Sequence, residues 1–224
     1  MPRVGRAARG GVVYHVLNRG NGRMSLFHKD GDYAAFLRLL GEVRDAVSVR
    51  VLAWCLMPNH WHLVLWPRQD GELSRFMLRL STAHVRRHHA HYHTTCGGHL
   101  YQGRFKSFPV QADDHLLTAC RYVESNALRA KLVRRAEDWR WGSLWASERG
   151  GAGDVRPDDW PVRRPAGWGE IVNATLPPPE LEVVRRSLLR GRPLGTERWV
   201  RKTAQRLDLG FTLRPRGRPR KPER

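Results

Sequence analysis

His60 and His62 sit one residue apart in the stretch MPNHWHLVLWP, which otherwise reads as a tight turn feeding an apolar strand. On a strand, residues i and i+2 project from the same face. The two imidazoles therefore stand together, while Trp61 and Leu63 point the other way. Two imidazoles side by side on a rigid strand supply two-thirds of a divalent-metal site. The pair alone reads equally well as two hydrogen-bonded, partly buried histidines. A metal site needs a third ligand and a reaction to serve.

The stretch DDHLLTACRYVESNALRAKLV, residues 113–133, offers both. At about 100° per residue on a helical wheel, Leu116, Cys120, Val123 and Ala127 gather on one side, flanked by Leu117 and Leu128. His115, Thr118, Tyr122, Asn126 and Arg129 form a separate polar stripe. Tyr122 is thus off the apolar face, and Asn126 lies one turn further along the same face. An oxygen of Asn126 is a candidate third ligand beside the tyrosine hydroxyl. The chemistry that follows is phosphoryl transfer. A divalent cation neutralises and polarises a scissile phosphate, and the tyrosine oxygen attacks it to give a covalent phosphotyrosine and a free hydroxyl. The phosphodiester energy is kept, so strands can be rejoined. Oxygen-phosphate chemistry with open ligand positions suits Mg²⁺ or Mn²⁺ better than a closed zinc site.

These residues need a scaffold. Val12–Asn18 is β-branched and aromatic, a predicted strand followed by the loop NRGNGR. Residues 32–47 carry apolar side chains at helical spacing. Val49–Met57 and His60–Trp66 are two apolar runs separated only by Pro58-Asn59, which predicts adjacent strands. Gly71 to about Tyr92 reads as a helix, Arg104–Gln111 as a strand, and Asp113–Val133 as one helix capped by Asp113 or Asp114. The order strand, helix, strand, strand, helix, strand, helix is that of an α+β, ferredoxin-like split βαβ unit with an antiparallel sheet and one added helix. After about Trp145 the chain turns Pro/Gly-rich. Residues 146–179 read as a linker that wraps over the domain formed by residues 1–145. Glu180–Arg190 and Thr196–Leu207 read as short helices ahead of a basic, Pro-rich end, giving a third segment, residues 180–224.

The 224 residues carry 40 Lys+Arg against 21 Asp+Glu, a net charge of +19. A surplus of that size points to a polyanion, nucleic acid above all. Residues 201–224 hold nine Lys/Arg and two Asp/Glu, and the rest of the chain keeps +12 without them. No segment approaches the roughly 20 apolar residues of a membrane span, and the N-terminus lacks the apolar run of a signal peptide. Cys55, Cys96 and Cys120 are scattered and odd in number, which suits a reducing cytoplasm rather than a disulfide framework.

The motifs together resemble a known family. PNHWHLV is similar to the His-hydrophobic-His motif of the HUH endonucleases, with Trp61 bulkier than the usual aliphatic residue. RYVESNALRAKLV resembles the tyrosine helix of their single-tyrosine transposase branch, with its Tyr-x-x-x-Asn spacing. YHVLNRGN, YQGRFKS, GRPLGTERWV and the terminal RGRPRK are similar to REP-associated tyrosine transposases. The likeness covers residues 10–145 and extends into the tail. It implies a ferredoxin-like fold with the histidine pair on a central strand, His60, His62 and Asn126 as ligands of Mg²⁺ or Mn²⁺, and Tyr122 as a nucleophile forming a 5′-phosphotyrosine on single-stranded DNA. It also implies hairpin-forming repetitive extragenic palindromes of bacterial genomes as substrates. The protein is then a nucleoid-associated monomer of the bacterial cytoplasm.

Arg104 and Lys106 alternate on the strand before the tyrosine helix and are candidates for phosphate contacts, as is Arg19 at the end of the first strand. Arg216 and Arg218, in Pro215-Arg216-Gly217-Arg218-Pro219, have the form of an extended Arg-Gly-Arg that lies in a narrow minor groove. The run His84–His99 puts His84, His88 and His91 on one helical face near Cys96. It reads either as a second metal site or as a basic helix end touching DNA. Two other readings stand beside the strand transferase: a domesticated hairpin-binding or regulatory protein that does not cut, and an RNA-binding protein on the same scaffold.

Overall fold

A computed structural model describes residues 8–94, 98–150, 155–174 and 176–214. β1 (Val13–Arg19), β2 (Arg50–Met57), β3 (His60–Trp66) and β4 (Lys106–Val110) form one sheet in the order β2-β3-β1-β4. All three pairings are antiparallel. α1 (Asp30–Val47) connects β1 to β2, and α2 (Glu72–Tyr92) connects β3 to β4. This is the split βαβ architecture that the element order predicts. α3 (Asp114–Glu124) is the added helix.

The alternation of side chains decides which helix covers which face. Tyr14, Val16, Trp61, Leu63 and Leu65 point to one side and pack with Phe36, Leu40, Phe76 and Leu80 of α1 and α2. Val13, Val64, Phe108 and Val110 point to the other and pack with Leu116, Ala119, Cys120 and Val123 of α3. A bulge between Val51 and Ala53 shifts the register of β2, so that Leu52 and Ala53 both join the α3 side. Trp61 is fully buried opposite the histidines. Its indole N–H donates to Tyr101 Oη at 3.0 Å, so its bulk serves the core and leaves the histidine face unchanged.

Two local expectations differ. The helix foreseen over Asp113–Val133 stops at Glu124. After Ser125 a single further turn, α4 (Asn126–Arg129), leads to Lys131 at φ +58°. That left-handed residue turns the chain back toward β2, where Trp141 O accepts from Leu56 N at 3.1 Å. Asp113 is the N-cap, accepting from His115 N at 2.9 Å. The strand foreseen from Arg104 begins only at Lys106. Gln102 N donates to Arg19 O, and Asn18 Nδ2 donates to Gly103 O, so residues 102–105 loop out beside the end of β1.

Beyond α3 come α5 (Ser143–Arg149), α6 (Trp168–Asn173), α7 (Pro178–Arg190) and α8 (Glu197–Arg206). This part of the chain is tied to the sheet and to α3 by part-buried and buried polar contacts. Trp160 Nε1 donates to Leu52 O, and Val51 N donates to Asp158 Oδ2. Ser143 Oγ and Trp168 Nε1 each donate to the Glu124 carboxylate at 2.5 Å. Glu124 is two residues from Tyr122, so the C-terminal third braces the tyrosine helix. Among the described residues no helix is long and apolar enough to cross a membrane.

Candidate active site

The β2–β3 hairpin sets the histidine pair. Pro58 and Asn59 are its two turn residues, and Met57 pairs with His60. The turn is clamped from outside: Leu26 N donates to Pro58 O and Gly20 N to Asn59 O. β3 lies between β2 and β1, so His60 and His62 stand on an interior strand with their ring centroids 5.2 Å apart. Asn59 Nδ2 donates to the Arg23 carbonyl at 3.3 Å, which turns its Oδ1 toward His60 Nδ1 at 2.7 Å. A carboxamide oxygen can only accept, so His60 carries its proton on Nδ1 and keeps the Nε2 lone pair free. Burial, aided by nearby Arg19, lowers the His60 pKa to about 4. The ring is neutral at neutral pH.

His62 has a partner that sequence reading missed. His15, on β1, is fully buried, and its Nε2 lies 2.8 Å from His62 Nδ1. Burial holds His15 at about 3, and burial with neighbouring histidines and arginines pushes His62 well below its ordinary value. Both rings are neutral, and one proton is shared along the N···N contact. If His62 uses Nε2 as a ligand, its proton must sit on Nδ1 and be donated to His15. Both members of the pair thus have Nδ1 engaged by a protein group. Among the described residues neither Nε2 has a hydrogen-bond partner.

Tyr122 approaches from α3 across the same face of the sheet. Its ring centroid is 5.9 Å from that of His62 and 6.1 Å from that of His15. The ring is clamped by Arg129, whose guanidinium carbon lies 3.8 Å from the centroid while Nη2 donates to the Tyr122 carbonyl at 3.0 Å. The turn at Ser125 brings Arg129 back over the ring. Asn126, at the first position of α4, is buried, and its Nδ2 has no partner among the described residues.

Tyr122, His60, His62 and Asn126 line one cleft of about 550 Å³, together with Arg19, Arg104, Lys106, Leu188 and Leu189. The structure therefore brings together every site residue expected from the sequence that lies within the described residues, although Arg104 sits on the loop rather than the strand. Arg216 and Arg218 lie outside the described residues. Within the His84–His99 run no second centre is seen among the described residues, where no group of three or more His, Cys, Asp or Glu is arranged to hold a metal. His84 is instead a core residue. Trp61 Nε1 donates to Tyr101 Oη, which in turn donates to His84 Nδ1 at 2.6 Å. Cys96 lies outside the described residues.

The donor set at the cleft fits a divalent cation that keeps open positions. It offers two neutral imidazoles with free Nε2 lone pairs and the Asn126 carboxamide, with no carboxylate beside them. His15, Asn59 and Arg129 are the supporting residues that the sequence left unassigned. His15 carried one signal, an imidazole between Tyr14 and Val16 in an otherwise apolar strand.

Residues 9–126 match the family of IS200-like transposases. A solved REP-associated tyrosine transposase, bound to a REP hairpin, shares 20% identity with the chain; the match covers 74% of this chain and 100% of that one, with a TM-score of 0.54. It shares the fold. A candidate transposase of Deinococcus radiodurans R1 is 18% identical over 51% of this chain and 89% of its own, with a TM-score of 0.39. No curated protein matches. The family match spans the sheet, the histidine pair, Tyr122 and Asn126, more than half of the chain, and the chain belongs to the IS200-like transposase family.

Proposed function

We propose that the chain cuts and rejoins single-stranded DNA at hairpin-forming palindromes, with Tyr122 as nucleophile and a 5′-phosphotyrosine as intermediate. The observation that carries this reading is the position of the Tyr122 ring, 5.9 Å from His62 in a cleft lined by Arg19, Arg104 and Lys106 and by no acid. A phosphodiester is drawn into such a cleft by charge, and its phosphorus meets the only polar ring on α3 that is held over the histidines.

The Tyr122 oxygen attacks phosphorus, the bond from phosphorus to the 3′ oxygen breaks, and that oxygen leaves as a 3′-hydroxyl after taking up a proton. The phenol proton passes to solvent. Attack by the 3′-hydroxyl of another strand reverses the step, so the phosphodiester energy is never lost to water. Arg129 holds the tyrosine ring in place through both its stacking and its bond to the backbone. His60, His62 and Asn126 would hold Mg²⁺ or Mn²⁺, which when bound neutralises charge on the phosphate and polarises it. Asn59 and His15 keep the two imidazoles in the tautomer that this role requires.

A hairpin substrate is supported by the REP hairpin held by the solved relative. Tyr122 reaches the histidines of its own chain, which supports action as a monomer. The Arg216-Gly217-Arg218 tail adds duplex affinity beside the cut, and a nucleoid location follows from the substrate. The test is a denaturing gel with a labelled single-stranded hairpin and Mn²⁺. Wild type should release a fragment, while Tyr122→Phe should bind the hairpin and release none. Cutting by Tyr122→Phe, or cutting of duplex and single strand alike, would end this reading.

A further inference from the structure

Behind the sheet, on the side away from Tyr122, the start of α1 meets the last turns of α2 around a hollow of about 130 Å³. His88 lines it and is 6% exposed. Neither of its ring nitrogens has a hydrogen-bond partner among the described residues. A neutral imidazole carries one donor and one acceptor, and leaving both unmet in a buried position is costly. Such a ring calls for a partner that the chain itself does not supply. Burial, with His28 and His89 next, lowers the His88 pKa, so the ring favours its neutral form.

The rest of the lining gives the sign of that partner. Lys29 and Arg87 come to the hollow from the start of α1 and from α2. Neither forms an ion pair among the described residues. Asp32 is the one acid in the lining, and its Oδ2 is already held by the amides of His28 and Lys29 at 2.8 and 3.1 Å and by the Tyr92 hydroxyl at 2.6 Å. Its charge is thus spent on the start of its own helix. Gly31, the second residue of α1, has open space where a side chain would stand, and amides at that position have no acceptor within the helix. Among the described residues no three His, Cys, Asp or Glu are arranged to hold a metal, so the lining suits an anion better than a cation. The hollow is several times the volume of a water, about 30 Å³ in the liquid, and has room for a group the size of phosphate.

We propose that this hollow binds a phosphate group, either inorganic phosphate or the end group of a phosphomonoester. The Lys29 ammonium and the Arg87 guanidinium meet its charged oxygens, and His88 donates a ring N–H to it. The site stands apart from the Tyr122 cleft and does not depend on that reading. It backs onto the same machinery all the same. Leu26, in its lining, donates its amide to the Pro58 carbonyl of the β2–β3 turn, and His84, also in its lining, is joined through Tyr101 to Trp61 between the two histidines.

The test is calorimetry on the full, DNA-free chain in EDTA, with inorganic phosphate and thymidine monophosphate as separate probes and sodium chloride of equal ionic strength as the control. Wild type should bind at least one probe saturably. Arg87→Gln, a change at an exposed side chain, and His88→Phe, which keeps a ring and removes both nitrogens, should each weaken binding about tenfold or more, the scale of a hydrogen bond to a charged group. Arg104→Gln, in the Tyr122 cleft, should leave it unchanged. Tighter binding of the nucleotide assigns the site to the end of a phosphomonoester, and equal or weaker binding assigns it to free phosphate. No binding beyond the chloride control would overturn the proposal, since water then satisfies His88. Binding that Arg104→Gln abolishes and Arg87→Gln leaves intact would overturn it in favour of the cleft. Weaker binding of hairpin DNA by Arg87→Gln, with neither small probe bound by wild type, would overturn it in favour of a DNA backbone contact.

Discussion

Replacing His15 by Phe removes the acceptor at Nε2 and a buried Nδ1 that has no hydrogen-bond partner among the described residues. The ring is fully buried, packs edge-on against Phe108 at 4.9 Å, and makes its one hydrogen bond to His62 Nδ1 at 2.8 Å. A phenyl ring fills most of the same space. His62 then keeps a buried N–H with no acceptor, a penalty of about 1–3 kcal/mol. The neutral ring can escape it by moving its proton to Nε2, which blocks the atom facing the cleft. Either way the Nε2 lone pair is lost or made costly. An outer partner of a metal-binding histidine is worth about 10–100-fold in metal affinity, which at about 1.4 kcal/mol per decade is the same scale. His15→Phe should therefore weaken Mn²⁺ binding by about 10–100-fold, measured by calorimetry on the folded, DNA-free protein. His15→Gln, whose amide oxygen can accept, should recover much of it. A folded His15→Phe protein that binds Mn²⁺ as wild type does would refute the role given to His15 and the assignment of Nε2 as the ligand atom.

Ser143→Ala should destabilise the fold by about 1–3 kcal/mol, because Trp54 N and one Glu124 oxygen both lose their bond to a fully buried hydroxyl. An unchanged denaturation midpoint would remove Ser143 from the brace behind the tyrosine helix. His84, held neutral by burial and next by the neighbouring His88, has its pKa lowered from 6.5 to about 3. The unfolded chain binds a proton there below pH 6.5 that the folded chain refuses, so His84's contribution is intact above that pH. It is lost as pH falls toward the folded value, at about 1.4 kcal/mol per pH unit. Chemical denaturation of His84→Gln between neutral pH and pH 4 should show a shallower fall than wild type, and parallel curves would contradict the assigned neutral state.

Much of this site was legible because strand and helix periods are local. Period two placed His60 and His62 on one face and Trp61 on the other. The helical wheel put Tyr122 off the apolar stripe, and Asp113 was a readable cap. The failures come from contacts between residues far apart in the chain. His15 and His62 are 47 residues apart, and one histidine in an apolar strand does not name its partner. Arg104 fell outside β4 because Asn18 and Arg19 hold residues 102 and 103 away from it. The helix wheel ran smoothly past Ser125, since the break is imposed by the return of the chain toward β2 and not by any Gly or Pro. Arg129 reaches Tyr122 only through that break, so a straight helix gave no reason to single it out.

The most direct test is the covalent intermediate itself. A labelled single-stranded hairpin is incubated with the protein and Mn²⁺, and the protein is digested and examined by mass spectrometry. The account requires a nucleotide adduct on Tyr122 that is absent in EDTA and absent from the His62→Ala protein. Cleaved DNA with no adduct on Tyr122, or an adduct that forms equally well in EDTA, would contradict it.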